Sequence, residues 1–504
     1  MRLSVSVGLV AIVFAGLSAA YTSSQSSPDI LVFTNVNVVD TRHGRLGSKY
    51  TVVVKDGRIA AVAKVGLIQE SSKVRIVNGS GKYLIPGLWD MHVHTAGGPA
   101  PAWDENVIYP LYIANGVTGV RDMGGDPKLL ESRRERIERG EVLGPRLLFA
   151  GPFLDGGKSD AQVLAINTPT EARQAVRTLK QMGADFIKVL SRVPRESYLA
   201  VADEAARLHM RFVGHVPESV SAAEASASGQ RSIEHLSGIM LACSSEENEL
   251  RQRRVNALAK DDGAGMAALN RQTLATYNSA KASKLFAELT NHNTYQVPTL
   301  VWWQAAANMD GPTLAADFRL QYVPMGVRSQ WKPAQGAQQS TGQEASDARQ
   351  RFARYLELVH SMHHAGVPFM AGTDGPDPYV FPGFSLHDEL ELLVKAGFSN
   401  AEALSAATFY PALFMVKLDR YGVVEPGRVA DMVLLDANPL DDIRNTRKIS
   451  AVVLRGKYYS RMDLDRMLAQ VAEAAKKQDT VAQDRSRSAR PVRVLSEIRS
   501  GERP

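Results

Sequence analysis

The chain has 504 residues, more than a single hydrophobic core commonly supports, so a large domain with a smaller companion is expected. Its apolar share of 44% is ordinary for a globular protein and argues against a low-complexity or fibrous chain. Lys and Arg number 59 against 53 acidic residues, a net charge of only +6 to which the basic C-terminal stretch contributes, so no nucleic-acid surface is read from it.

Met1-Arg2, the apolar run Leu3 to Leu17 and the ending Ser18-Ala19-Ala20 have the charge, length and small residues of a secretory signal over 1–20. The mature protein is therefore expected to be exported, periplasmic or secreted. An uncleaved anchor is the alternative, but the run is shorter than the roughly 20 residues that a span needs. No stable membrane insertion is expected once the signal is removed. The single cysteine, Cys243, cannot form an internal disulfide. Ile30 to Val39 and Tyr50 to Val54 alternate apolar and polar residues before the turn Asp56-Gly57, and similar segments return at Asp431 to Asp436 and Ile449 to Tyr459. These strand signals predict one small β-sandwich domain built from both ends of the chain, 29–85 and 417–461.

Between them, at 86–416, strand-like runs alternate with helical stretches, the pattern of parallel βα units in a (β/α)8 TIM barrel of α/β class. His92 and His94 end the first barrel strand and project to the same side. Alone, such a pair more often satisfies core hydrogen bonds than binds an ion. Thr168-Pro169-Thr170-Glu171 is a capping box with proline at the first helical position; the helix runs to about Met182, Gly183 stops it, and Asp185 to Leu190 reads as a buried strand carrying Lys188. A helix from about Glu196 to His209 leads to the strand Arg211 to His215. Another, from about Val220 to Ser228, leads to the strand Ser232 to His235.

Residues 244–350 fit the barrel less well: a charged, helical portion and a loop-like Lys332 to Gln343 surround one strand-like run, Tyr295 to Trp303. A lid and a solvated decoration explain this insertion equally well. Trp302 and Trp303 read as core residues or as an aromatic pocket wall. Val367 to Asp374 reads as a strand that ends in Asp374. His209, His363 and His364 receive no catalytic role; His387, in a helix pattern, is a candidate support for another ligand. Beyond Arg461, a helix from Met462 to Lys477 is expected, followed by an unstructured Arg- and Ser-rich end, so that 462–504 forms a tail.

The ends of successive barrel strands thus carry His92, His94, Lys188, His215, His235 and Asp374. In a barrel, such positions converge on one mouth, which makes the set far more telling than any member. An ammonium cannot ligate a cation, but burial and nearby positive charge favour the neutral amine of Lys188. That amine can take up carbon dioxide to form a carbamate whose two oxygens can bridge two ions. A wall lysine paired with an acid is the alternative.

Pro86-Gly87-Leu88-Trp89-Asp90-Met91-His92-Val93-His94, Gly116 to Asp122, Asp185-Phe186-Ile187-Lys188, Ser232-Ile233-Glu234-His235, Gly372-Thr373-Asp374 and Glu425 to Asp431 resemble the amidohydrolase superfamily. The resemblance covers about Ile30 to Tyr459 and is nearest to the branch with imidazolonepropionase-like proteins, Xaa-Pro dipeptidases and ochratoxin-type amidases. It implies two divalent ions, usually zinc, with His92, His94 and Asp374 on one, His215 and His235 on the other, and carboxylated Lys188 between them. It also implies water activated to a pKa of about 7, with Asp374 acting as ligand and acid/base. Two features depart from that branch: Lys158 stands in Gly156-Gly157-Lys158 where a histidine is common, and Leu236 to Leu241 has no tyrosine.

The expected activity is hydrolysis of an amide bond in a small molecule, a dipeptide of Xaa-Pro type or an N-acyl amino acid. The same chemistry leaves a lactonase or phosphotriesterase, a mononuclear deaminase, and a non-catalytic metal-dependent binding protein as alternatives. No nucleic-acid partner is expected, and a homo-oligomer is compatible with the sequence.

Overall fold

The structure, a computed structural model, describes residues 30–64, 73–97, 103–160, 162–309, 316–331 and 342–488. The expected signal at 1–20 and most of the loop-like Lys332 to Gln343 lie outside these residues. In chain order the strands are β1 (Ile30–Asp40), β2 (Arg45–Lys55), β3 (Arg58–Lys64), β4 (Val74–Asn78), β5 (Tyr83–Pro86), β6 (Leu88–Val93), β7 (Val117–Asp122), β8 (Arg146–Phe149) and β9 (Phe153–Asp155). They continue with β10 (Val163–Ala165), β11 (Phe186–Val189), β12 (Arg211–Gly214), β13 (Ser232–Glu234), β14 (Tyr295–Val297), β15 (Met432–Leu435), β16 (Ile449–Leu454) and β17 (Lys457–Ser460).

One eight-stranded sheet runs β17-β16-β15-β5-β1-β2-β3, with β4 paired to β1. The two ends of the chain meet in its antiparallel β5–β15 ladder, where Ile85 opposes Val433. Alternation along β1 and β2 turns Phe33, Val36, Val52 and Val54 into a core that also holds Leu84, Met432 and Val453.

The remaining strands form two parallel sheets, β6-β7-β8 and β10-β9-β11-β12-β13-β14. Helices link the strands: Glu105–Ala114 leads into β7, Pro127–Glu138 into β8, Pro169–Gln181 into β11 and Arg195–Arg207 into β12. The molecule is therefore mixed α/β with parallel sheets, in which β6, β7 and β11 are buried along their whole length, as strands covered by helices on both faces are. The helix after Thr168 forms for the reason its sequence suggests. Glu171 N donates to Thr168 Oγ1 at 3.3 Å, and Thr168 N donates to Glu171 Oε2 at 2.9 Å.

Three local readings need correction. Val367 to Asp374 is not a regular strand; it carries one parallel bridge, Gln296 to Phe369, while Val93 bridges Gly375 just beyond it. The segment still lies between its neighbours, because Met91 N donates to Ala371 O and Asp374 N to His92 O. Asp374 ends the segment with a left-handed φ of 65°. The strand expected over Tyr295 to Trp303 stops at Val297: Pro298 has no N–H to donate, and Thr299 turns left-handed at φ 48°. Trp302 and Trp303 consequently sit in the helix Leu300–Ala307. Finally, the C-terminal helix runs Arg461–Ser488, past the expected stop at Lys477; 489–504 lie outside the described residues.

Candidate metal centre

All six strand-end candidates come to one buried region. His92 lies within β6, and His94 lies one residue beyond its end. Lys188 lies within β11, His215 directly after β12 and His235 directly after β13. Parallel pairing of Lys188 with Val213 and of Val189 with Gly214 keeps Lys188 and His215 together. Gly214 is required at that crossing: it has φ 126°, and an added Cβ would fall 2.3 Å from Val189 O and 3.0 Å from Lys188 Cδ.

Asp374 is the hub. Its Oδ1 lies 3.1 Å from His92 Nε2 and 3.2 Å from His94 Nε2, and its Oδ2 lies 3.9 Å from His235 Nδ1. Ligand atoms of His92, His235 and Asp374 all fall within 4.8 Å of one another. The ring of His235 is 4.5 Å from that of His92 and 5.2 Å from that of His215.

A shell behind the imidazoles fixes how they point. His92 Nδ1 faces Glu234 Oε2 at 2.8 Å, His94 Nδ1 faces Gly124 O at 3.1 Å, His215 Nδ1 faces Ser191 Oγ at 3.0 Å and His235 Nδ1 faces Thr299 Oγ1 at 2.8 Å. A carboxylate and a carbonyl only accept, so His92 and His94 carry a proton on Nδ1, and Nε2, which faces Asp374 Oδ1, is the nitrogen left to meet a metal. The Thr299 hydroxyl donates to Pro298 O, which leaves it to accept from His235 as well. The Nε2 of His92 is buried with no hydrogen-bond partner despite its closeness to Asp374. A buried lone pair without a donor is costly in a finished core but suits a cation ligand. The residues present therefore fit a divalent metal.

At His215, His235, Asp374 and Lys188 electrostatics agree with the protonation states that ligation needs, while at His94 burial lowers the pKa and the Asp374 carboxylate beside it outweighs burial and raises it. Burial drives His215 well below its ordinary pKa, aided by repulsion from Lys188, His235 and His92. Burial likewise brings His235 down to about 3, so both rings are neutral. Burial opposes the charge on Asp374, but the surrounding imidazoles outweigh it and hold this carboxyl well below the usual range. Burial lowers the Lys188 amine to about 8 against the pull of Glu234 and Asp374, which makes its neutral form accessible near neutral pH.

Several supporting residues had not been singled out from the sequence. Glu234 receives Arg121 Nη2 at 2.9 Å as well as His92, so a buried ion pair stands behind the first histidine. Asp122 accepts from Thr95 N and Oγ1 and from Gly124 N, which fixes the loop whose carbonyl orients His94. Asp90 accepts from Thr373 N at 3.0 Å and Oγ1 at 2.7 Å and ties the approach of Asp374 to β6. Their signal was present: each is an ionisable residue on a strand that the pattern marks as fully buried, where a charge survives only with a partner. Trp302 lies 6.2 Å from the His235 ring, and its indole N–H donates to Asp377, so it borders the site; Trp303 packs instead on Tyr355 at 4.7 Å. Lys158 is exposed, and His387 is buried away from the cluster, bonded to Thr446 Oγ1 and Asn115 O.

Parallel sheets whose strand ends gather histidines and a carboxylate define a metal-dependent α/β hydrolase. The chain belongs to the amidohydrolase family, whose profile matches residues 83–458, and it is an amide-hydrolysing enzyme of that family. Its resemblance to solved structures is one of fold. A bottromycin amidohydrolase is 23% identical with a TM-score of 0.71, over 90% of this chain and 92% of that one. A Xaa-Pro dipeptidase with bound methionine in the active site is 20% identical with a TM-score of 0.61, over 86% of this chain and 100% of that one. The ochratoxinase of A. niger is 17% identical with a TM-score of 0.60, over 86% of this chain and 96% of that one. An enamidase from Eubacterium barkeri is 42% identical over 48 residues, a match that spans only 12% of its length and 10% of this chain. These neighbours give the parallel sheets a TIM-barrel-like α/β setting. Among the described residues no helix is long and apolar enough to cross a membrane.

Proposed function

We propose that this chain is a binuclear hydrolase, with zinc as the metal, that cleaves the amide bond of a dipeptide of Xaa-Pro type or an N-acyl amino acid. The observation that carries the reading is the common orientation of four histidines, each with Nδ1 held from behind, around one carboxylate and a buried lysine. His92, His94 and Asp374 would hold one ion and His215 and His235 the other, with carboxylated Lys188 between them. Bound there, two divalent ions lower the pKa of water to about 7 and polarise a substrate carbonyl.

The chain's own groups supply the rest. Asp374 Oδ2, the oxygen further from the His92 and His94 pair, takes the proton lost from the attacking water and returns it to the leaving amine. Glu234 and Arg121 keep His92 in the tautomer that presents Nε2. Trp302, held by Asp377, walls the space beside His235 and excludes water from it. On this reading the barrel occupies 86–416, the small β-sandwich domain takes 29–85 and 417–461, and the protein is exported after cleavage near Ala20.

The test is a parallel kinetic comparison of Xaa-Pro dipeptides, N-acyl amino acids, lactones and phosphotriesters, with metal content measured on the same preparation. The reading expects turnover of the first two, about two ions per chain, and a carbamate signal on Lys188 from ¹³C-labelled bicarbonate. Activity on lactones or phosphotriesters alone would overturn the amide assignment, and one ion per chain without a carbamate would overturn the binuclear one.

A further inference from the structure

The opposite ends of the same strands carry a second concentration of charge. β8 begins with Arg146 and β12 with Arg211, at the ends remote from the metal centre. There they join Lys417, Arg420 and Arg455 around a cavity of about 500 Å³ floored by Arg121. Some of these cations are already matched. Arg121 pairs with Glu234, Arg146 with Asp431, and the lining Arg134 with Asp185 at 3.0 Å. One guanidinium nitrogen of Arg455 donates to Gly144 O.

Arg211, Lys417 and Arg420 are different: among the described residues their side chains form no hydrogen bond or ion pair, and Arg420 Nε is buried without a partner. Of the two acids on the cavity wall, Asp185 accepts from Arg134 and Phe149 N and also feels the charge of Lys417 without bonding to it, while Glu138 is exposed. Aromatic faces hold the guanidinium groups in place. Arg146 and Arg420 stand 5.2 and 5.5 Å over Tyr421, and Arg211 stands 5.8 Å over Phe414. Burial weakens the charged forms of Arg211 and Arg455, and repulsion from Arg231 and Arg146 adds to it. Half-buried like charges oppose folding unless something negative joins them. A cavity that orients such groups in advance, yet leaves them unpaired, has the form of a receptor for an anion.

We propose that this cavity binds a compact dianion or polyanion of phosphate or sulfate type, at a site separate from the metal centre. Arg211 and Arg420 supply planar donors from the cavity lining, and the exposed Lys417 adds charge. A flat binding surface for a large polyanion is not implied, because the unpaired cations line one concave pocket.

The metal centre itself attracts phosphate, so the probe is ethane-1,2-disulfonate, a dianion with little affinity for divalent ions. Calorimetric titration of the full chain at low ionic strength, where charge is least screened, should show one site per chain. Inorganic phosphate should displace the probe. Arg211→Gln combined with Arg420→Gln should weaken binding at least tenfold and remove the rise in melting temperature that the probe causes. Arg253→Gln, a remote exposed change, should leave both intact. Lys417→Glu alters an exposed side chain with no hydrogen bond to lose; it should also weaken binding, which keeps the test available if the double variant folds poorly. Absence of saturable binding to the unaltered chain would overturn the proposal, as would equal affinity in the unaltered chain and Lys417→Glu or the double variant.

Discussion

At the scale of single residues, Glu234 controls more than its position next to His235 suggests. Its carboxylate compensates Arg121, accepts from His92 and takes the Ser232 hydroxyl, all in full burial. Glu234→Gln keeps the shape but leaves Arg121 as an unpaired buried cation, a change that commonly costs about 3–5 kcal/mol. We expect the urea midpoint to fall accordingly and His92 to lose its grip on metal; a variant with native stability and full metal content would show the pair to be dispensable. Glu389 gives a prediction in pH. Burial raises its carboxyl to about 8, while Oε2 accepts from Val301 N at 2.7 Å and Oε1 has no partner. The folded state therefore holds a proton that the unfolded state releases near its ordinary value of about 4.3. This contribution is fully present below that pH and is lost as pH rises through 8, at about 1.4 kcal/mol per pH unit within the window. Glu389→Gln should flatten the decline in unfolding free energy between pH 5 and 8, and an unchanged slope would contradict the assignment. The candidate ligands were legible because histidine and aspartate at strand ends are rare enough to count. Glu234, Asp90 and Asp122 carried only the weaker signal of an ionisable residue on an apolar strand, because a carboxylate's role as support depends on which strand lies beside it.

At the scale of elements, legibility followed how local the determinants are. The Thr168 capping box needs only four residues of sequence, and both of its hydrogen bonds form. Thr168→Ala should lower stability by about 1 kcal/mol, within the 0.5–2 kcal/mol range of lost caps, and should leave kcat/KM unchanged, since that helix contributes nothing to the metal centre. Gly214 tests the opposite case. Its positive φ and its contact with Val189 O are set by a neighbouring strand, so no local pattern announces it. Gly214→Ala should cost more than the roughly 1–3 kcal/mol of one strained backbone position, and it should lower metal content because the displaced segment carries His215 and abuts Lys188. Retention of full metal content would mean that this crossing tolerates a shift. The run from Val367 to Asp374 misled for the same reason. Its apolar residues read as a strand, but the left-handed turn at Asp374 serves the hub carboxylate rather than the ladder.

For the whole molecule, the parallel α/β order was readable from alternation of strand and helix patterns, whereas the mainly helical character of 247–307 was only partly so, since its strand-like run is cut short by Pro298. The metal centre has a consequence at this scale. Its side chains come from positions 92 to 374, and backbone bonds at His92, Ala371 and Asp374 bring the first and last parts of that span together. Anything that binds those groups only when they are assembled must stabilise the folded state. At a free metal concentration one hundred times the dissociation constant, the gain is about 2.7 kcal/mol per site. The metal-free cluster has a partial substitute, because Asp374 attracts the imidazoles, but burial disfavours the charged forms of His215 and His235 and so works against that attraction. Removal of metal by chelation should therefore lower the melting temperature, with zinc restoring it, and His215→Ala should reduce the size of that recovery. A chelated protein that is shown by metal analysis to be empty, yet melts where the loaded protein does, would mean that the four histidines are a self-sufficient packed cluster and that no ion links the two halves of the fold.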